Sequence, residues 1–206
     1  MVRIHIYCEG PSEEKFINEL LLPVFAEKQI ILAAIPCYGV SKYSRIRRDI
    51  CSLCRNDRGA FVTTMLDYYG LPSDTPGYRT ALQNDVYQRV SHVEEHMRVD
   101  MGEERFYPNL LLHEYEALLF SKTEAFSYCD LSERKLRALR RIEEQFPTPE
   151  HINNNPNTSP SKRIQAIYPA YDKVLDGYNI AKDIGLPLLR EKCRHFDAWL
   201  ARLETL

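Results

Sequence analysis

The sequence has no long hydrophobic run and almost no excess of charge of either sign. The formal net charge is -2 over 206 residues, which excludes a strongly basic coat for nucleic acid but leaves room for a local basic patch. No stretch approaches the roughly 20 apolar residues of a membrane span. The start, MVRIHIYCEG, has neither the apolar length nor the cleavage site of a signal peptide. We therefore expect a cytoplasmic protein that does not enter a membrane.

The sequence also lacks the patterns of a disulfide scaffold or a zinc site. Six cysteines are present, but a chain of this length does not need disulfides to hold a core. The C-x-x-C pair CSLC at 51–54 has no second pair of ligands at comparable spacing. Because Ile46, Ile50, Leu53 and Cys54 recur at helical spacing, we predict reduced thiols buried on a helix.

The hydrophobic pattern alternates between strand-like and helix-like segments. Strands are predicted at 3–9, 30–39, 60–67 and 107–113, and helices at 12–28, 42–56, 79–100, from 114 onward and at 186–206. This order predicts an α/β fold with a mostly parallel sheet flanked by helices, of Rossmann-like type. From about 122 the pattern becomes helical, with an Asn/Pro-rich loop at 152–160. We predict an α/β core over 1–121 and a helical C-terminal extension over 122–206, packed together as one unit.

Two helical faces are also predicted from spacing. Leu82 and Val86 begin the apolar face of the helix at 79–100. The apolar face of the segment at 186–206 suits either the core or an interface, so an oligomer stays open.

Acidic residues follow three of the four predicted strands. Strand one ends at Glu9, strand three ends at Asp67, and strand four runs into His113, Glu114 and Glu116. Because the carboxyl ends of parallel strands line one edge of a sheet, we expect these side chains in one cleft. Crowded carboxylates raise one another's pKa unless cations neutralise them. A divalent ion with oxygen ligands, such as Mg²⁺, Mn²⁺ or Ca²⁺, is the economical explanation.

Some of these acids have an alternative structural interpretation, but Glu9 does not, because an acid that closes an apolar strand gains nothing structurally. Glu13 lies four residues after Glu9, with Gly10 allowing a tight turn, and is either a ligand or a helix N-terminal charge; for Glu14 we favour the charge. Asp67 is either a ligand or the start of a turn.

Of the two glutamates after strand four, one is predicted to be the metal ligand. Glu114 and Glu116 cannot share one helical face at a spacing of two. We favour Glu114 as the ligand, with Glu116 or His113 as its helper, although His113 is equally well explained as a core histidine.

Several motifs carry a resemblance to a known family. EGPSEEKF resembles the first motif of Toprim-type catalytic domains, and Glu9-x-x-x-Glu13 resembles the form found in the overcoming-lysogenization-defect (OLD) nucleases. Together with KYSRIRRDI, FVTTMLDYYGLP, LHEYEALLF, PSKRI and HFDAWLARL, the chain resembles the Toprim-like family called domain of unknown function 4276. The resemblance implies metal-dependent cleavage or rejoining of phosphodiester bonds, with Mg²⁺ or Mn²⁺ at Glu9, Glu13 and Asp67.

The chain departs from the Toprim pattern at the second motif. The usual Asp-x-Asp is replaced by Asp67 followed by Tyr68 and Tyr69, so one ligand is missing there. Glu114 or Glu116 would have to supply it.

Candidate phosphate-binding residues lie in two basic segments. Lys42, Arg45, Arg47 and Arg48 open the helix at 42–56, where a solvated helix face is the alternative. In SPSKR, resemblance to OLD-type nucleases makes Lys162 a candidate for stabilising transition-state charge, beside Arg163; a plain surface lysine is the alternative.

Aromatic residues lie next to Asp67. Tyr69, with Tyr68 and Tyr78, either stacks on unpaired bases or packs the loop.

The leading hypothesis is a nuclease with one or two metal ions. Related Toprim-like proteins work with ABC or AAA-like ATPases in antiphage defence, and this chain has no G-x-x-x-x-G-K-[ST] motif, so an ATPase would act in trans. The alternative is a non-catalytic regulatory or binding subunit of an ATPase complex. A flavodoxin-like nucleotide binder fits the order of elements, but its acidic edge would repel phosphate. The choice between DNA and RNA stays open.

Overall fold

A parallel five-stranded sheet organises the protein. The structure is a computed structural model that describes residues 1–152 and 157–206, so part of the predicted Asn/Pro-rich loop lies outside the described residues. The strands are β1 (Val2–Cys8), β2 (Ile30–Pro36), β3 (Ala60–Asp67), β4 (Phe106–Tyr107) and β5 (Leu110–Leu111). Their order is β2-β1-β3-β4, with β5 also paired to β3, and each of these pairings is parallel. The predicted α/β fold with a mostly parallel sheet is confirmed.

Helices connect and cover the strands. They are α1 (Pro11–Phe16), α2 (Leu22–Glu27), α3 (Tyr43–Asn56), α4 (Val86–Met101), α5 (Glu133–Glu143), α6 (Pro160–Ile167), α7 (Leu175–Ile184), α8 (Leu186–Lys192) and α9 (Arg194–Glu204). A π-helical turn, Ile17–Leu21, joins α1 to α2. Short 3₁₀ segments occupy Tyr68–Gly70, Tyr78–Thr80, Tyr115–Ser121, Thr123–Cys129 and Pro149–His151. Within the described ranges, none of the helices has the length and apolar content needed to span a membrane.

The two faces of the sheet are buried in two hydrophobic clusters. Along β1, Ile4, Ile6 and Cys8 belong to one cluster and Tyr7 belongs to the other, as the alternation of side chains in a strand requires. The first cluster lies against α1, α2 and the C-terminal helices, and the second against α3 and α4. All six cysteines are free thiols, and the CSLC pair lies within α3 as predicted.

The C-terminal helices pack directly on the sheet and on α1. The ring centroids of Phe16 and Phe196 are 6.0 Å apart. The indole Nε1 of Trp199 donates a hydrogen bond to Thr63 Oγ1 on β3 at 2.9 Å. The division at 121/122 stays a prediction, although one hydrophobic cluster contains residues from both sides of it.

The predicted fourth strand, 107–113, is interrupted in the structure. Thr63 pairs with Tyr107 and Leu66 pairs with Leu110, so the register is the same on both sides of the break. The break falls at Pro108, which has no N–H to donate to the ladder. The hydroxyl of Thr64 satisfies the backbone there, donating to Asn109 O at 2.7 Å and accepting from Asn109 N at 2.9 Å.

Three predicted helices differ from the structure. The helix expected from 79 begins at Val86, where the Asp85 side chain accepts from Gln88 N at the N-cap. Leu82 therefore lies outside the helix and is 83% exposed. The segment after Glu114 is 3₁₀ rather than α-helical. The single helix predicted at 186–206 is wrong, because the non-helical backbone of Cys193, with φ of -121° and ψ of 87°, separates α8 from α9.

The break in the fourth strand yields a stability prediction. Thr64→Val keeps the shape of the side chain but leaves both buried backbone groups of Asn109 without a partner. We expect the free energy of unfolding to fall by about 3 kcal/mol. The exposed control, Thr80→Val, should change it by less than about 0.5 kcal/mol. Urea denaturation measures both values, and equal effects of the two substitutions would contradict this account.

Candidate functional site

Glu9 and Asp67 meet at the carboxyl ends of the two central strands. Glu9 follows β1, and its Oε2 accepts a hydrogen bond from Asp67 N at 3.4 Å. A Cβ at position 70 would lie 3.1 Å from the same oxygen, so Gly70 leaves room for the carboxylate. Both acids line a cavity of about 20 Å³, which has room for about one water molecule or ion.

Asp67 is surrounded by other carboxyl groups. Burial raises the pKa of Asp67 well above its usual value, and the charges of Glu9, Glu13, Glu116 and Glu114 raise it further. Tyr115 N donates to Asp67 Oδ1 at 3.1 Å, which connects the end of β3 to the segment after the fourth strand. The strand ends therefore bring these acids into one electrostatically coupled cluster.

Glu13 caps its own helix from within this cluster. Gly10 N donates to Glu13 Oε2 at 2.9 Å, so the side chain caps the N-terminus of its own helix. Gly10 has φ of -167° and ψ of -160°, which is extended backbone. A turn in the left-handed region, which would require a glycine, is therefore not present at this position. Burial is the largest cause that raises the pKa of Glu13 to about 7, followed by the charges of Glu9 and Glu116.

Glu114 and Glu116 are held by residues of the C-terminal part of the chain. Ser161 N, in the first turn of α6, donates to Glu114 Oε2 at 2.9 Å. Glu116 is 2% exposed, and its Oε1 lies 3.1 Å from Lys173 Nζ. Burial raises the pKa of Glu116, an effect that Lys173 opposes.

Lys173 is a site residue that the sequence interpretation did not include. Burial lowers its pKa, but the charges of Glu116, Glu114 and Asp67 outweigh that effect and raise it overall. Val174 N and Leu175 N both donate to Asp172 Oδ1. This capping turn at the start of α7 fixes the position of Lys173. The available signal was the capping aspartate in YDKVLD, which shows a helix start but gives no sign of what the lysine contacts.

The chemistry of these side chains suits a hard divalent cation. Buried carboxylates with raised pKa values are stabilised by positive charge, and oxygen donors are what Mg²⁺ and Mn²⁺ prefer. Within 1–152 and 157–206, however, no three or more His, Cys, Asp or Glu side chains are grouped closely enough to hold one ion. Shared ligation therefore requires the carboxylates to move closer together, which their mutual repulsion opposes and a cation favours.

The basic residues of α3 are largely paired with protein groups. Arg45 donates to the carbonyls of Cys37 and Gly39, in the loop whose Gly39 N donates to Glu9 O. Arg47 pairs with Asp100, Arg48 pairs with Asp49, and Lys42 is exposed at the helix N-cap. Of these, Arg45 is the residue whose contacts lead to the backbone of Glu9.

Lys162 and Arg163 lie in the first turn of α6. Lys162 is exposed and directly follows Ser161, whose amide binds Glu114. Arg163 Nε donates to Thr158 O at 2.7 Å, and its guanidinium lies 5.3 Å from the centroid of the Phe146 ring.

His113 stands apart from the carboxyl cluster. It is 3% exposed, with a positive φ of 70°, and its carbonyl accepts from Tyr69 N. Burial lowers its pKa to about 4, assisted by the charges of Arg89 and His151. His113 therefore shapes the turn beside Tyr69, and the structure does not bring its ring to the acids.

The fold and this cluster define an α/β protein with an acidic site at the carboxyl edge of a parallel sheet. The sequence profile of the family described as "Domain of unknown function (DUF4276)" matches residues 8–204. The chain belongs to that family.

Comparisons with other known proteins gave distant similarities. The chain is similar to the C-terminal region of the Burkholderia pseudomallei OLD protein, at 16% identity over 95% of both chains and a TM-score of 0.48. It is also similar to the C-terminal region of the Xanthomonas campestris pv. campestris OLD protein, at 13% identity over 98% of this chain and 97% of that chain, with a TM-score of 0.44. No curated protein sequence matches.

The raised pKa of Glu13 predicts how stability depends on pH. In the folded state its carboxyl keeps a proton up to about pH 7, compared with an ordinary value of 4.5. The folded state therefore binds more protons between these values, and the free energy of unfolding falls as pH rises through that window. Glu13→Gln keeps an acceptor for Gly10 N without the charge. In EDTA at pH 8 we expect it to be roughly 2 kcal/mol more stable than the wild type.

Urea denaturation at pH 4.5, 6 and 8 measures this effect. The matched control is Glu133→Gln, whose side chain is 81% exposed on α5; it should follow the wild-type pH profile. A Glu13→Gln profile that also parallels the wild type would rule out Glu13 as the source of the pH dependence.

Proposed function

We propose that this protein is a metal-dependent nuclease that hydrolyses phosphodiester bonds in nucleic acid. The observation that supports this most is the contact of Glu9 with Asp67 beside an ion-sized cavity at the carboxyl ends of β1 and β3. EGPSEEKF resembles the first Toprim motif, and in Toprim enzymes acids of this motif take part in metal-dependent cleavage of phosphodiester bonds. DNA and RNA are both candidate substrates.

The proposed ligands of Mg²⁺ or Mn²⁺ are Glu9, Glu13, Asp67 and Glu114, with Glu116 as a further carboxyl group. A bound divalent ion activates water and stabilises the leaving oxygen in such reactions. The protein's own part is to hold the carboxylates ready. Tyr115 N orients one oxygen of Asp67, Ser161 N orients one oxygen of Glu114, and Gly70 leaves space for Glu9.

Two lysines have different proposed roles at the site. Lys173 offsets the charge of Glu116 within the cluster. Lys162, which is exposed in the first turn of α6, is the proposed group that neutralises charge developing on the phosphate in the transition state. Arg45, Arg47, Arg48, Lys42 and Arg163 are the proposed contacts to the nucleic-acid backbone, with Tyr69 beside Asp67 for an unpaired base.

A partner ATPase and a role in antiphage defence belong to the same proposal. The chain has no phosphate-binding G-x-x-x-x-G-K-[ST] motif, so control by ATP would come from an ABC or AAA-like partner. A second candidate function, a non-catalytic subunit of such a complex, is favoured by the single aspartate at position 67 where Toprim enzymes have two.

Removing the central acids separates the two candidates. We expect Mn²⁺-dependent cleavage of DNA or RNA by the wild type, with its partner if one exists, and a loss of at least about 100-fold in Glu9→Gln and Asp67→Asn. The thermal shift induced by Mn²⁺ should also disappear in both variants. Glu133→Gln, which removes an exposed carboxyl group, should retain cleavage and thermal shift.

A different result of the same experiments would favour the non-catalytic subunit. In that case no metal-dependent cleavage occurs, and Glu9→Ala and Asp67→Ala leave complex assembly and biological activity intact.

The two lysines are distinguished by comparing cleavage with stability. Lys162→Met should reduce cleavage and leave the unfolding free energy of the metal-free protein unchanged, because Lys162 is exposed. Lys173→Met should reduce that free energy by about 1–2 kcal/mol, because it leaves the buried Glu116 without its cation. Cleavage assays and urea denaturation in EDTA measure the two effects. Equal behaviour of the two variants in both assays would contradict the division of roles.

A further inference from the structure

The neighbouring helices α5 and α6 carry a local concentration of basic side chains. The sequence of α5, ERKLRALRRIE, contains five basic and two acidic residues, and Glu144 follows it. The sequence of α6, PSKRIQAI, adds Lys162 and Arg163 and contains no acid. Because the whole chain has a formal net charge of -2, this positive charge is a property of one surface. A basic patch of this kind attracts polyanions even when the protein as a whole is not basic.

Three arginines of α5 form a stripe on its outer face. Residues three, four and seven positions apart lie on the same side of an α-helix, so Arg134, Arg137 and Arg141 follow one another along α5. All three are exposed, whereas Leu139, on the opposite side of the helix, is buried. We call these three arginines the α5 stripe. It extends over about 10 Å of the helix axis.

The arginines of the α5 stripe are poorly paired within the protein. The nearest acid to Arg137 is Glu133, at 3.8 Å, and it is itself exposed. Among the residues that the structure describes, Arg134 and Arg141 form no ion pair and no side-chain hydrogen bond. The arginines of α3, by contrast, are engaged by acids and carbonyl groups. An unpaired guanidinium can bind a phosphate through two hydrogen bonds without first breaking a contact within the protein.

Two contacts show how α5 lies against α6. Lys135 Nζ, in the first turn of α5, is 6.0 Å from the centroid of the Tyr168 ring, at the end of α6. The guanidinium of Arg163, in the first turn of α6, is 5.3 Å from the centroid of the Phe146 ring, which follows α5. The two helices are therefore antiparallel, and the end of α5 that carries Arg141 is next to the first turn of α6.

The first turn of α6 is also where the C-terminal helices contact the acidic cluster. Ser161 N donates to Glu114 Oε2 at 2.9 Å, and Lys162 is exposed beside it. The basic side chains thus follow one course, from Arg134 at the start of α5 to Arg141 and on to the first turn of α6. A row of phosphates that follows the same course arrives at the carboxyl edge of the sheet.

We propose that the α5 stripe binds the phosphate backbone of the nucleic acid that is cut at the acidic cluster. Successive phosphates of one strand of B-DNA are about 3.4 Å apart along the helix axis, so a stripe of about 10 Å reaches about three of them. Contacts to phosphates alone are independent of base sequence. That the polyanion is a nucleic acid rests on the proposed function. DNA and RNA share the phosphate backbone, and the binding experiment distinguishes them.

Binding in EDTA tests the α5 stripe separately from cleavage. The probes are DNA and RNA duplexes of about 20 base pairs and the corresponding single strands, measured by fluorescence anisotropy over a series of salt concentrations. We expect the wild type to bind at least one probe, with an affinity that falls as salt rises. The triple variant Arg134→Gln, Arg137→Gln and Arg141→Gln should bind at least about tenfold more weakly at low salt. Its plot of log K against log salt should be shallower by about 2–3.

A second triple variant with the same change of charge is the matched control. Arg58→Gln, Arg98→Gln and Arg202→Gln also replace three exposed arginines. Positions 58 and 98 precede β3 and β4, at the edge of the sheet opposite the acidic cluster, and position 202 lies on α9. This variant should bind with nearly the affinity and salt dependence of the wild type. Both triple variants should melt within about 3 °C of the wild type, because the substituted side chains are exposed.

The proposal is overturned if no probe binds at low salt, if both triple variants lose affinity equally, or if neither does. It is also overturned if polyglutamate displaces the nucleic acid as effectively as a nucleic acid of the same charge does, because the stripe would then be a site for acidic proteins. Should the α5 triple variant fail to fold, Arg134→Gln and Arg141→Gln alone should each reduce the salt slope by about 1.

Cleavage in Mn²⁺ distinguishes a failure of this proposal from a failure of the nuclease. If Glu9→Gln abolishes cleavage and the α5 triple variant cuts like the wild type at low substrate concentration, the nuclease stands and the α5 stripe does not bind the substrate. If binding depends on the stripe and no cleavage occurs, the stripe stands and the nuclease does not. If both proposals are correct, the α5 triple variant should raise KM and leave kcat unchanged.

Discussion

The position of the partly buried Asp67 among other carboxyl groups is the constraint on which this end of the molecule depends. Its pKa is raised by burial and by the charges of four glutamates, so the cluster needs donors and positive charge around it. Backbone amides provide some of these donors: Tyr115 N donates a hydrogen bond to Asp67, and Gly10 N donates one to Glu13. These hydrogen bonds keep the acids in place although the acids repel one another.

The C-terminal helices complete the cluster as well as the core. Ser161 N binds Glu114, and Lys173 pairs with Glu116, so residues far along the chain balance acids that follow the fourth strand. The same region covers one face of the sheet through Phe196 and Trp199. Loss of packing in these helices would therefore also disturb the electrostatic balance at the carboxyl edge.

The α/β fold could be predicted because strand and helix periodicity are local properties of the chain. The strand predicted from the apolar run at 30–39 corresponds to β2, which ends at Pro36, and the helical spacing of Ile46 and Ile50 corresponds to α3. The contact of Glu9 with Asp67 follows from the parallel order of β1 and β3, since residues that end neighbouring parallel strands share an edge.

Long-range contacts could not be predicted from local periodicity. Nothing in the spacing of YDKVLD indicates that Lys173 lies against Glu116, because the contact depends on how α7 packs. The position of Leu82 depends on Asp85 capping α4 further along the chain than the apolar spacing suggested. The buried Nδ2 of Asn109, which has no hydrogen-bond partner among the described residues, reflects its surroundings, and an asparagine after a proline gives no sign of it in the sequence.

Pro108 has a further consequence for the outer side of the sheet. The fourth strand lies at an edge, where a long row of free N–H and C=O groups would invite pairing with a second molecule. The proline divides that edge into the two-residue strands Phe106–Tyr107 and Leu110–Leu111, and short edge strands with proline are poor templates for such pairing. The interruption that Thr64 stabilises from inside thus makes this edge a poor template for pairing with another molecule.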